Sequence, residues 1–527
     1  MGMMDRIKKA FQKPSDLADS TRLIINCEKL EHRVALLEDG VLEEYSIERP
    51  GERNIVGSVF KGRVKNIEQG LKAMFVDIGM EKNAFLHFWD AIPAALDGGL
   101  EEIDRSGGKQ RKPKVTSKDI PDIYPVGAEV LVQVTKGPIG TKGPRVTTNI
   151  SLAGRLLVLM PLNGQFGISR KIDDPQERAR LRQVLMKMDV PEGMGVIFRT
   201  CAAGQRHRFL VRDLHFLLEE WRQIAEIRDT EKAPVQCFEE PDLVERTVRD
   251  FLTDEIDEVV CDDHDMVERM TTLASQISRR AKKRIKHYQG PRPIFDAYRI
   301  TKQIEDAFFR QVWLPCGGYI VIDQTEALIS IDVNTGRNKG GKNMDKTILE
   351  TNLEAAAEVA RQLRLRNLGG LVVVDFIDMR SRKDQQQVYR MMKDRLKRDK
   401  AKTQVLPLSA LGLMEMTRQR LQESLSDSMY ENCPYCQGRG IIKSTLTMSV
   451  ELQRALAAAM SQAGEANRDL IVTVSPPVME RLRTEDEQLL AELQRRHAGR
   501  LTFRSDPTMH REHYTIADSN SGEALRS

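Results

Sequence analysis

What the sequence lacks narrows it first. No stretch of its 527 residues approaches eighteen consecutive apolar positions, which excludes an α-helical membrane span. The opening Met1-Gly-Met-Met-Asp-Arg-Ile-Lys-Lys-Ala-Phe has no apolar core of the kind a secretory signal needs. Gly2 could open a myristoylation signal, but Arg6 stands where that signal has Ser or Thr. Cysteine is scarce: seven in all, five of them (Cys27, Cys201, Cys237, Cys261, Cys316) scattered, which excludes a disulfide scaffold and fits a reducing, cytoplasmic compartment. A dominant charge is missing too. The net charge of +4 is too small to identify a nucleic-acid partner, so local clustering has to decide. There is neither an internal repeat nor a low-complexity segment.

What is present fits a multidomain globular protein, with length enough for several cores. Residues 20–50 alternate loosely and read as a strand pair turning at Asp39-Gly40. Five short strands with glycine turns follow, from Val56 through Phe75-Val-Asp-Ile-Gly79 and Asn83-Ala-Phe85-Leu-His to Ala128-Glu-Val-Leu-Val-Gln-Val, and predict a small Greek-key barrel of the OB type. Such barrels stack bases on exposed aromatics, and Phe75 and Phe85 are the candidates; for any single Phe, burial in the core is the simpler reading. The loop over 105–118 is basic without an acidic residue, as a solvated loop or a phosphate-tracking arm would be. Beyond it the pattern predicts a charged helix over 175–188, a strand ending in the phosphate-suited donors Arg199 and Thr200, helices over 207–231, 241–286 and 296–313, a basic helix near 382–400, and a small α/β unit from Ser444.

The stretch Ala327–Met379 reads strand, glycine-rich loop, helix, strand. Ala327-Leu-Ile-Ser-Ile-Asp332-Val-Asn334 and Gly369-Gly-Leu-Val-Val-Val-Asp375 are apolar until they end in polar side chains. Parallel strands joined by a crossover helix bring such ends together, and the stripe Leu349, Leu353, Ala356, Ala360, Leu363 packs that helix on the sheet. Asp332 and Asp375 could then share a Mg²⁺, which takes one or two carboxylates plus water and substrate phosphate. Asn334, on the face of Asp332, could hold a phosphodiester without repelling it. Two other readings compete. The aspartates could simply cap turns. Alternatively, Gly336-Arg-Asn-Lys-Gly-Gly341-Lys342 matches the P-loop pattern of an NTPase, but Asn343 stands where the motif needs a hydroxyl for magnesium.

Cys433-Pro-Tyr-Cys436-Gln-Gly-Arg-Gly440 is a knuckle suited to a structural metal. Structural zinc needs four ligands and there is no second CxxC, so the arithmetic favours a Zn²⁺ shared by two chains. A redox pair is the alternative, but no thioredoxin-like βαβ pattern surrounds it.

Nine blocks now converge on one resemblance: Phe75-Val-Asp-Ile-Gly, Ile150-Ser-Leu-Ala-Gly154, Phe198-Arg-Thr, Ile331-Asp-Val-Asn, Thr351-Asn-Leu-Glu-Ala-Ala, Arg361-Gln-Leu-Arg-Leu-Arg, Asp375-Phe-Ile-Asp-Met, Thr417-Arg-Gln-Arg-Leu and Cys433-Pro-Tyr-Cys436. In this order they resemble the bacterial ribonuclease E/G family over nearly the whole chain. The resemblance implies a multidomain α/β-plus-β fold: an RNase H-like scaffold (1–53 with 244–307), an inserted S1 (OB) barrel (54–148), a 5′-monophosphate sensor region (149–243), a DNase I-like catalytic domain (308–429), a zinc-link (430–443) and a small α/β domain (444–527). It implies a Mg²⁺-dependent endoribonuclease of single-stranded, often A/U-rich RNA, leaving 5′-phosphate and 3′-hydroxyl ends. Asp332 and Asp375 match metal ligands and Asn334 the residue at the scissile phosphate. Phe75, Phe85 and Lys142 match RNA contacts of the barrel; Arg199, Thr200, Val158 and Gly154 match the 5′-phosphate pocket; Arg170 and Lys402 match further contacts, with Lys402 where other members carry Arg. Zinc on Cys433 and Cys436 would join chains into dimers of dimers. Residues 1–20 and the loop at 105–118 depart from the family pattern. The chain also stops without the long Arg/Pro-rich tail of E-type members, as a G-type or short E-type enzyme would. A non-catalytic S1-type RNA-binding scaffold is the rival reading.

Overall fold

Alternation of apolar and polar residues explains most of the strands, and pairing across long sequence separations explains how they assemble. The computed structural model describes residues 20–526 except 50–54, 93–99, 104–115, 117–118, 139–141, 173, 252–255, 278, 338–343, 421–423, 463–468, 497–498 and 523. The chain forms two units, Met1–Ser428 and Met429–Ser527.

The first unit begins with the expected hairpin. His32–Glu38 and Val41–Glu48 pair antiparallel with Glu38 opposite Val41, and both turn residues take positive φ (Asp39 53°, Gly40 79°), the backbone that a two-residue hairpin turn requires. The strand Thr21–Cys27 sits on its other side and pairs in parallel with Glu258–Cys261, which in turn pairs with Ile285–His287. This five-stranded sheet is therefore built from two segments more than two hundred residues apart. It corrects the continuous helices expected over 241–286. Helices do occupy Leu243–Phe251 and His264–Ile277, but Glu-Val-Val-Cys between them is a strand whose last three residues are buried. Likewise 296–313 is two short helices, Ile294–Ala297 and Ile300–Asp306, and a strand, Gln311–Trp313.

Between the two segments lies the barrel. Val59–Glu68, Ala73–Asp77, Ala84–His87, Arg145–Thr147 and Glu129–Lys136 pair in that order, and the last closes on the first. Met74, Val76, Ala84, Leu86 and Val132 fill its interior. A second sheet, beside the barrel in sequence, includes Leu157–Met160, Gly195–Phe198 and Phe166–Ser169 and packs on the helix His207–Thr230 through Leu210, Leu214 and Leu217.

The third sheet of the unit has the order Gln311–Trp313, Tyr319–Gln324, Leu328–Asn334, Gly370–Asp375, Leu413–Arg418, Thr403–Val405. Its single parallel pair is Leu328–Asn334 with Gly370–Asp375. The helices Met344–Leu365 and Arg382–Leu396 cover one face, burying Ile329, Ile331, Val333, Val372 and Val374 against Ala356, Val359, Ala360, Leu363 and Val388.

The second unit holds the helix Thr445–Gln462 and a sheet in which Leu470–Val474 and Leu501–Ser505 run parallel, with the helices Pro476–Thr484 and Glu487–Arg496 between them. Tyr514–Asp518 and Ala524–Arg526 complete it.

Candidate active site and RNA-type surfaces

On a strand, neighbouring side chains point to opposite faces. With Ile331 and Val333 turned into the core, Asp332 and Asn334 must point away from the helices, and the same holds for Asp375 between Val374 and Phe376. Asp332 and Asp375 are direct register partners, about 4.8 Å apart in a sheet, and both are exposed. The carboxylates thus stand side by side on the open face of the sheet, near the ends of the strands. Asn334 Nδ2 donates to Asp332 Oδ2 at 2.6 Å. The oxygen donors and the number of carboxylates suit Mg²⁺, which leaves most positions to water and phosphate.

The segment after Asp375 is held from behind. Asn352, fully buried on the crossover helix, donates from Nδ2 to the Ile377 carbonyl at 2.8 Å and accepts from the Ile377 N–H at 3.1 Å. A side-chain amide thereby does for Ile377 what a neighbouring strand would do. Sequence reasoning missed it, because Asn352 lies off the apolar stripe; a polar residue beside that stripe was the available signal. The P-loop pattern fares differently. Gly336 has φ 55° and its Cα lies against the Gly317 carbonyl, where any side chain would collide, while Lys342 and Asn343 lie outside the described residues. One parallel strand pair in a six-stranded sheet is not the mostly parallel sheet of nucleotide-binding α/β folds.

On the barrel, Phe75 and Phe85 are register partners with ring centroids 5.9 Å apart at 73°. Both are half-buried and lie outside the barrel core, so the simple core reading fails. They form a band across the outer wall: Asn66 pairs with Phe75, Phe75 with Phe85, and Phe85 with Arg145. His87 lies 6.4 Å from Phe85, ring to ring. Lys142 is exposed and is brought to this band by the next two residues: Gly143 sits against the Asn83 carbonyl, and Pro144 accepts from Phe85 N–H at 2.7 Å. Trp89, 64% exposed, follows two residues after His87, whose Nδ1 accepts its N–H at 3.2 Å; it was overlooked because nothing in its spacing separates it from a core aromatic. The basic loop at 105–118 lies almost wholly outside the described residues.

The remaining candidates gather elsewhere. Phe166–Ser169 and Gly195–Phe198 run parallel, so the segments that follow them, Arg170-Lys171 and Arg199-Thr200, emerge side by side. Ser169 Oγ lies 3.2 Å from Thr200 Oγ1. Gly154 is buried, Val158 pairs with Ala153 and Ile197, and Arg199 Nη1 donates to the Gly154 carbonyl at 2.6 Å and to Asp250 Oδ1 at 2.8 Å. Burial pushes the Asp250 carboxyl up, but the Arg199 and Arg249 guanidiniums outweigh it and hold Asp250 below the usual carboxylate range. Lys171 Nζ donates to the Asp399 carbonyl, which joins this seam to the segment carrying the exposed Lys402. The structure thus unites Gly154, Val158, Arg170, Arg199 and Thr200, and adds Lys171, Arg249 and Asp250. Asp250 and Arg249 gave no signal in the sequence, since they sit on a helix remote in order.

In the second unit Cys433 is exposed and Cys436 half-buried. Backbone N–H groups of Cys436 and Tyr435 lower the Cys433 thiol pKa, and Gly440 N–H donates to Cys436 Sγ at 3.3 Å. The Tyr435 and His510 ring centroids lie 3.9 Å apart with the planes tilted by 44°, and Arg439 pairs with Glu512. Among the described residues the one group of three metal-ligating side chains with donor atoms mutually within 4.8 Å is Cys27, Cys261 and Asp262. No helix among the described residues is long and apolar enough to cross a membrane.

Comparison with known proteins adds the identity of this architecture. The family described as Ribonuclease E/G matches residues 151–421, and the RNase E/G thioredoxin-like domain matches 432–519. The chain is 37% identical over 497 residues to ribonuclease G of Escherichia coli K12, covering 94% of this chain and 99% of that protein. It is 38% identical over 507 residues to ribonuclease E of Haemophilus influenzae, covering 96% of this chain and 52% of that one. The chain belongs to the ribonuclease E/G family. It is a hydrolase, an endoribonuclease of RNA processing and decay. The match at 432–519 also corrects the expectation that no thioredoxin-like pattern accompanies the cysteine pair: a βαβ element is present (470–505), although the pair lies in a turn ahead of it.

Proposed function

We propose that the chain is a Mg²⁺-dependent endoribonuclease of single-stranded, A/U-rich RNA that leaves 5′-phosphate and 3′-hydroxyl ends. The pairing of Asp332 with Asp375 on an exposed face, with Asn334 beside them, carries the reading. The two carboxylates would hold the ion. When bound, Mg²⁺ polarises the phosphodiester and lowers the pKa of water. The Asn334 amide, which donates to Asp332 at 2.6 Å, would steady the scissile phosphate. Asn352 keeps the Asp375 end of the sheet in place.

The barrel at 54–148 acts as an S1 domain, with bases on Phe75 and Phe85 and phosphates near Lys142. The seam of Gly154, Val158, Arg199 and Thr200, in the region 149–243, reads a 5′-monophosphate, while Arg170 and Lys402 steer the strand. Residues 1–53 with 244–307 form an RNase H-like scaffold around these parts, and 308–429 a DNase I-like catalytic domain. The zinc-link at 430–443 supplies Cys433 and Cys436 to a Zn²⁺ shared with a second copy, ahead of the small domain at 444–527, and pairs of chains assemble into dimers of dimers in the cytoplasm.

The test is incubation of the purified protein with an A/U-rich single strand, with and without EDTA, followed by mapping of the ends. Cleavage only with magnesium, yielding 5′-phosphates, is expected. Salt-sensitive binding with no cleavage under any condition would leave an RNA-binding scaffold instead.

A further inference from the structure

None of Cys27, Cys261 and Asp262 is among the residues assigned above to RNA or to the catalytic site. Cys27 ends the first strand of the scaffold sheet and Cys261 ends the strand parallel to it. Their Sγ atoms are 3.9 Å apart. Two thiolates held at about 2.3 Å from one zinc ion across a tetrahedral angle lie roughly 3.8 Å apart, so the pair already has the spacing a bound zinc requires. A disulfide at about 2.04 Å would need the sulfurs to close by nearly half that distance.

Further observations point the same way. A carboxylate oxygen of Asp262 lies within 4.8 Å of both sulfurs. That side chain is anchored by Cys27 N–H at 2.9 Å and by Asn26 Nδ2 at 2.6 Å, yet a carboxylate offers about four acceptor sites, so lone pairs are left for a cation. Cys261 Sγ is held in place by Asp263, accepting its N–H at 3.5 Å and donating to its carbonyl at 3.7 Å. Cys27 and Asp262 are only half-buried, which leaves a way in. On the neighbouring strands the register partners of Cys27 and Cys261 are His32 and His287. The hydrogen bond to Cys261, burial and the nearby Asp262 and Asp263 carboxylates raise the Cys27 thiol pKa.

We infer that Cys27, Cys261 and Asp262 form an intrachain zinc site, with water at the fourth position, that ties together the two halves of the scaffold sheet across the inserted barrel. On binding, Zn²⁺ would displace one proton from each thiol, both released to solvent, while Asp262 supplies the oxygen ligand. The site is separate from the Cys433–Cys436 knuckle and needs no second copy of the chain.

The experiment counts zinc by elemental analysis in full-length protein carrying Cys433→Ser and Cys436→Ser, so that knuckle zinc is gone. One zinc per chain is expected, falling to none when Cys27→Val and Cys261→Val are added. Valine suits the strand backbone at both positions, and circular dichroism checks that the variant folds. Cobalt loading of the knuckle-free protein should give a thiolate-to-cobalt absorption band that the valine variant lacks. EDTA should lower the melting temperature of the knuckle-free protein and leave the valine variant unmoved. Equal zinc in both proteins, no zinc in either, or a Cys27–Cys261 disulfide in non-reduced peptide maps would overturn the proposal.

Discussion

Asp332 and Asp375 owe their positions to single-residue alternation. Each lies between apolar residues that the helices bury, so each is forced onto the open face, and the parallel register sets them opposite one another. On the proposed mechanism, Asp332→Asn or Asp375→Asn abolishes cleavage while RNA binding largely survives, because the change removes a charge and little volume; gel shift alongside a cleavage assay reads both, and undiminished cutting would refute the metal assignment. Arg199 works through different chemistry. Its guanidinium is shared between Asp250 and the Gly154 carbonyl, with Thr200 next in sequence. Arg199→Ala should slow cleavage of 5′-monophosphorylated RNA and leave the 5′-hydroxyl form nearly unaffected; equal slowing of both would show a structural role instead.

At the scale of elements, the crossover helix does more than cover the sheet. Its Asn352 completes the hydrogen bonding of Ile377, two residues past Asp375. Asn352→Ala leaves buried backbone groups unpaired, at about 1–3 kcal/mol of stability. If Asn352 positions the site, kcat falls by more than KM rises, and chemical denaturation together with steady-state kinetics separates that from a purely structural loss. The barrel presents its aromatics as a band on its outer wall. Replacing Phe85 by Ala should remove roughly 1–3 kcal/mol of single-strand affinity if a base stacks there. Trp89→Ala, on the same barrel two residues past His87, tests whether the exposed indole extends that band; titration of fluorescent oligonucleotides measures both.

For the whole molecule, one buried acid links stability to pH. Glu220 sits half-buried on the helix His207–Thr230. Burial, with repulsion from Glu240 and partly offset by Arg249, raises its pKa from 4.5 to about 7. Between those values the folded state holds a proton that the unfolded chain has released, so stability is full below the lower value and falls as pH rises through the higher one. Glu220→Gln removes that loss. Its unfolding free energy, read by chemical denaturation, should match the parent near pH 4 and exceed it at pH 8 by an amount on the order of 2 kcal/mol. Assembly is the other property at this scale: if the knuckle zinc joins two chains, chelation should release zinc and shift the particle to monomers in sedimentation, and an intact oligomer would remove the shared-zinc reading.

Local pattern alone determined a good deal here. The hairpin at Asp39-Gly40, four of the five barrel strands, the two aspartates at the ends of apolar strands and the cysteine knuckle are all set by residues within a few positions of one another, and alternation and turn chemistry act at that range; the short barrel strand Arg145–Thr147 carried no such signal. Tertiary structure decided the rest. Glu258–Cys261 is a strand because Thr21–Cys27 offers it a parallel edge from far along the chain, and four residues carry no period by which to distinguish a strand from a helix. The seam around Arg199 exists because three segments remote in order meet there, and Asp250, Lys171 and Asp399 have no local feature that announces it. Cys27 and Cys261 looked like scattered thiols for the same reason: their 3.9 Å separation is a property of the closed sheet, and no spacing along the chain encodes it.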